Sequence, residues 1–90
     1  MSHVDEIEDL RHLNDHLNAE IVEKISEWVE ASSRLAEINR AYGGSPEALR
    51  EELFTNVRRA ASTRGLDPER LERIFAAMME IRSGLEVGSC

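Results

Sequence analysis

Residues 4–42 run for thirty-nine positions without a proline or a glycine. Along that run apolar side chains recur at helical spacing: Val4, Ile7, Leu10, Leu13, Leu17, Ile21, Ile25, Trp28, Val29, Leu35 and Ile38. At 1.5 Å per residue the run predicts one helix about 58 Å long. A compact domain of this chain's length is only about 25–30 Å across. The chain cannot wrap a helix twice its own width. The apolar stripe therefore needs either two short helices laid end to end along it or a second copy of the chain, and a dimer is expected.

Two helix-start signals follow. Gly43-Gly44 supplies the permissive backbone of a helix end, and Ser45-Pro46-Glu47 reads as N-cap, proline at the first helical position and an acid in the first turn. The second helix then runs to about Thr63, with Leu49, Leu53, Phe54, Val57, Ala60 and Ala61 on its apolar side. Arg64-Gly65 closes it, and Asp67-Pro68-Glu69 opens a third helix carrying Leu71, Ile74, Phe75, Met78, Met79 and Leu85. Gly84 is expected near the end of that helix. Residues 1–5 and 87–90 are expected to fray. No strand pattern, repeat or linker is present, so the sequence predicts a single all-α domain over 1–90, one long helix plus two shorter ones.

The totals narrow the function. Eighteen acids against eleven bases give a formal net charge of −7. That argues against nucleic acid, which needs a clustered positive surface, and against docking on an anionic membrane. It leaves room for a small anion in a local arginine pocket. No stretch approaches the roughly 18 apolar residues of a membrane span, and the acidic N-terminus lacks the apolar core of a signal peptide. A cytoplasmic location is expected. The one cysteine, Cys90, permits no intrachain disulfide and is given no role.

Three groups of side chains invite chemistry. His12 and His16 stand at i, i+4 on one helix face, a spacing that can hold a metal, but no pattern supplies a third ligand. Their flanks, Asn14, Asp15 and Asn18, read as a solvated face, and no metal site is assigned. Met78 and Met79 suit either core filling or an adaptable pocket. Trp28 reads most simply as a packing anchor. Arg11, Arg34, Arg40, Arg50 and Arg82 are scattered in sequence, yet facing helices of a bundle can bring such residues to one site. Arginine holds carboxylates through two parallel hydrogen bonds. Pairing with surface glutamates is the plainer use of each.

The order long helix, loop, short helix, short helix resembles the all-helical AroQ-type chorismate mutase family. The likeness rests on Leu10-Arg11 followed by Leu17, Ile21, Val22 and Ile25, on Arg50-Glu51 early in helix two, and on the segment from Arg64-Gly65-Leu66-Asp67-Pro68 to Ile74-Phe75. It spans about residues 6–86. The resemblance implies an intertwined homodimer with two cofactor-free sites, each between helices of both chains. The substrate would be a small anionic dicarboxylate, chorismate, rearranged to prephenate in one pericyclic step. The protein's task there is to hold the reactive conformer and stabilise charge at the ether oxygen.

Carried over by position, the family's cross-chain arginine matches Arg11 and its helix-two pair matches Arg50 and Glu51, the glutamate binding the ring hydroxyl. The family's mid-helix arginine falls on Trp28, and its ether-contacting lysine falls on Asn39 with Arg40 beside it. The acid after the loop falls on or near Glu47. The small polar residue of helix three falls on Arg82, a cation gained, and the glutamine at the ether oxygen falls on Glu86, which can donate only when protonated. The expected roles are thus catalytic for Arg11, Asn39 and Glu86, and substrate-binding for Arg11, Trp28, Arg40, Glu47, Arg50, Glu51 and Arg82. The alternative is a non-catalytic or regulatory dimer of the same fold that binds a partner protein or a metabolite; an activating partner protein is a further expectation.

Overall fold

The structure, a computed structural model, describes the backbone of residues 3–88 and the side chains of residues 3–81. It consists of three helices, α1 (His3–Ala41), α2 (Pro46–Thr63) and α3 (Pro68–Gly88), with no strand among the described residues. Helix α3 runs through Gly84 to Gly88, so Gly84 lies in its last turns, near the end as the sequence predicts. A glycine inside a helix costs about 1 kcal/mol relative to alanine, which weakens a helix without stopping it. At the other end, α1 is already helical at His3.

The two connections are built alike, and the sequence explains both. Gly43 and Gly65 take the left-handed backbone, with φ of 75° and 72°. After α1, the amide of Gly44 donates to Asn39 O at 2.8 Å and that of Gly43 to Arg40 O at 3.1 Å. After α2, Leu66 donates to Ala61 O at 2.9 Å and Gly65 to Ser62 O at 3.1 Å. Each is the paired closure that satisfies the last helical carbonyls. Each next helix is then capped by a side-chain oxygen: Ser45 Oγ accepts from the Ala48 amide at 3.1 Å, and Asp67 Oδ1 accepts from the amides of Glu69 at 3.0 Å and Arg70 at 3.3 Å. Two tight turns leave α2 and α3 an antiparallel hairpin.

That hairpin packs on the C-terminal half of α1. Phe54, Ala61 and Met78 are the buried apolar residues of the described chain. Trp28 reaches the hairpin edge-on, its ring centroid 5.2 Å from that of Phe75 at 82°, a favoured aromatic geometry. The remaining part of α1 extends past the hairpin as an exposed arm. Along it Val4, Ile7, Leu10, Leu13, Leu17, Ile21 and Val22 are all between 43% and 67% exposed. The molecule measures 61 × 35 × 16 Å. Helices α2 and α3 back only part of α1, so one chain buries a small core.

Candidate functional site

At the open end of the molecule, α1, α2 and α3 converge on a groove of about 240 Å³. Ser32, Ala36, Asn39 and Arg40 line it from α1, Leu49, Arg50 and Leu53 from α2, and Met79 from α3. The i, i+4, i+7 and i+8 spacing of 32, 36, 39 and 40 puts the α1 residues on one side of that helix. Arg50 sits in the angle between α2 and α3. Its guanidinium carbon lies 4.6 Å from the centre of the Phe54 ring, and its Nη1 lies 3.6 Å from Met79 Sδ. Among the described residues neither Arg40 nor Arg50 pairs with a carboxylate, in a chain with seven more acids than bases. A cation stacked on an aromatic face and left without a counter-charge is well placed to receive an anion.

Asn39 occupies this groove in a particular way. Its Nδ2 donates to the Ser45 carbonyl at 3.3 Å. Its amide also fills the space into which a side chain at Gly44 would project. In the usual form of this helix ending an apolar contact joins the two positions; here an amide packed on a glycine does so. The amide thus ties the α1–α2 turn to α1, directly beneath the cap of α2.

The other expected site residues go elsewhere. Trp28 lines a neighbouring, more apolar recess of about 390 Å³ together with Val57, Ala61, Leu71 and Phe75, separated from the groove by Leu53, which borders both. Glu51 accepts from Arg58 Nη2 at 3.2 Å, and Arg58 also pairs with Glu72 across the hairpin and donates to Thr55 Oγ1 at 3.1 Å. Glu72, then Glu51, hold the Arg58 guanidinium above its already high pKa, so it stays charged. Arg58 was not among the sequence candidates. Its only signal there is its i+7 spacing from Glu51, which suits one helix side but does not announce a tie to α3.

Glu47 is exposed and accepts from Ser45 Oγ at 3.3 Å. Arg34 lies outward among Glu27, Glu30 and Glu37, away from the groove. Arg11 is exposed on the arm beside Ile7, Leu10 and Leu17, remote from Arg50 in the same chain. Arg82, Glu86 and Cys90 lie outside the described side chains. His12 is exposed, and His16 Nε2 is 2.7 Å from Glu20 Oε1, so the two histidines share their face with a carboxylate. Among the described residues no three metal-ligating side chains gather, and no helix is long and apolar enough to cross a membrane. Comparison with models of known protein families, with curated proteins and with solved structures finds nothing that matches this chain.

Proposed function

We propose that this chain acts as a homodimer that binds a small dicarboxylate in the Asn39–Arg40–Arg50 groove, and that the reaction is a chorismate mutase-type pericyclic rearrangement. The observation that carries the reading is the pair of unneutralised guanidinium groups, Arg40 and Arg50, lining one groove. Two arginines can each take one carboxylate of a dicarboxylate and so fix its conformation. Arg11 stands on an arm that cannot reach its own groove, which suits delivery to the groove of a second copy. Such binding supplies orientation and electrostatic stabilisation, the two things a reaction without covalent intermediate requires.

The test is purified protein with chorismate from mildly acidic to neutral pH, the product identified by NMR. Prephenate above background supports the reading, and Arg50→Ala abolishes it by a factor on the order of 10²–10³. Pyruvate formation moves the reaction to the lyase class. Absence of turnover overturns the catalytic part of the reading.

A second reading has its own observation. Asn39 is held by the turn and Glu51 by Arg58, so two positions that would touch the substrate are engaged within the protein. A non-catalytic dimer that binds a metabolite uses the same two arginines without needing either residue. Under it, chorismate or prephenate binds in calorimetry without turnover, and Arg50→Ala removes the binding. Asn39→Lys raises the mutase rate if the groove is intact but lacks a cation at the ether oxygen, and leaves it unchanged if the pocket serves binding alone.

A further inference from the structure

We infer that Met79 is an oxidation site that governs Arg50: as the sulfoxide, Met79 takes the Arg50 guanidinium for itself and closes the groove to anions. The inference rests on the reading of Arg50 as an anion-binding group, and it adds a modification that sets when that group is available.

Position selects the residue. Among the described residues two methionines stand side by side on α3, and neighbours on a helix point about 100° apart. Met78 is 6% exposed and belongs to the core. Met79 is half-buried and lines the groove, where a small oxidant reaches its sulfur. A thioether shut in a core meets oxidant only when the protein opens, so Met79 reacts first.

The partner of that sulfur sets the consequence. Arg50 Nη1 lies 3.6 Å from Met79 Sδ, a contact between α2 and α3. A thioether is a weak acceptor, so the guanidinium stays available to an anion. The buried Phe54 ring holds the same group, its centre 4.6 Å from the guanidinium carbon. No carboxylate among the described residues competes for it. These contacts keep Arg50 beside whatever the sulfur becomes.

A hydroperoxide supplies the chemistry. A sulfur lone pair attacks the outer peroxide oxygen, the O–O bond breaks and an S–O bond forms. Sulfur loses two electrons and the peroxide gains them. The proton passes to the departing oxygen, which leaves as water or an alcohol. The new oxygen is a much stronger acceptor than the thioether. Methionine has three rotatable bonds, so this oxygen turns toward Nη1. One bond out from a sulfur already 3.6 Å away, it enters the ordinary N–H···O range of about 2.9 Å. A hydrogen bond from a charged donor is of the strong kind, and it occupies an N–H that a carboxylate needs. Sulfoxide reductases reverse the change, two thiols becoming a disulfide as water leaves.

The test uses the full chain with Cys90→Ser, which removes the competing thiol. The protein is titrated with hydrogen peroxide, and fragment-ion mass spectrometry locates the added oxygen. Met79 is expected to convert well before Met78. On that conversion the Arg50 side-chain N–H resonance, assigned by its loss in Arg50→Lys, shifts and exchanges more slowly with water. Prephenate then binds about tenfold more weakly in calorimetry, the loss of one charge-assisted hydrogen bond, and methionine sulfoxide reductase with dithiothreitol restores the binding. Met79→Leu, a volume-conserving change that cannot form a sulfoxide, shows the same prephenate affinity before and after peroxide. Equal conversion of Met78 and Met79, an Arg50 resonance that stays in place, or a peroxide effect that survives in Met79→Leu overturns the inference. If the untreated protein binds no prephenate, the dicarboxylate reading fails, and the capture of Arg50 by Met79 is decided by the resonance alone.

Discussion

The two halves of α1 have much the same sequence character and opposite surroundings. Both carry an apolar stripe at helical spacing with acids on the far side. In the C-terminal half Trp28 is locked against Phe75, while Leu35 and Ile38 stay 42% and 43% exposed. In the N-terminal half Ile7, Leu10, Leu13, Leu17, Ile21 and Val22 are all between 43% and 67% exposed. The difference shows that helical periodicity specifies a face to be covered and says nothing of what covers it. An exposed run of large apolar residues such as Leu10, Leu13, Leu17 and Ile21 is the kind of surface that marks an interaction face.

Removing the arm is the most severe way to break the comparison. A chain lacking residues 3–22 keeps the hairpin and its three buried side chains, too little apolar burial to offset the ordering entropy of the backbone. Such a chain is expected to lose its cooperative melt by circular dichroism; a sharp transition would show the body to be self-sufficient. Next comes Phe54→Ala at the buried end of the hairpin, expected to cost about 3–5 kcal/mol in urea titration. The arm is sharpened by Leu17→Asp. If a second copy covers Leu17, the substitution removes burial worth about 1.5–3 kcal/mol per side chain and makes the melting temperature depend more steeply on concentration. On a surface that stays exposed it changes stability by less than about 0.5 kcal/mol.

Smaller effects separate the two turns. Ser45→Ala removes the cap of α2 and is expected to cost about 1 kcal/mol, read by thermal melting. Gly44→Ala meets the Asn39 amide, a flexible side chain that can rotate away, so the stability loss is smaller still. Its larger consequence lies in the groove: with Asn39 freed from Ser45, dicarboxylate affinity measured by calorimetry changes, whereas no change would mean that the amide and the ligand never compete.

The capping signals were legible residue by residue. Ser45-Pro46 and Asp67-Pro68 each start a helix where expected, and both glycine-marked ends close as their neighbours dictate, because these bonds join positions at most five residues apart. The grouping of Arg40 with Arg50 was half legible, since family resemblance placed them together and pattern alone did not. Glu51 was read as facing the groove. Its neighbour at i+7, Arg58, takes it to the Glu72 side of the hairpin instead, and no local spacing announces that.

The same division holds for the whole molecule. Three helices, their boundaries to within a few residues and a stripe too long for one chain all follow from local chemistry: glycine at a left-handed turn, oxygen at an N-cap, apolar residues every three to four positions. Which stripe residues are covered, which arginines lack a partner and where Asn39 and Trp28 point depend on how α1 crosses the hairpin. That crossing is set by side chains tens of residues apart in sequence packing together, a non-local balance that no short window of sequence contains.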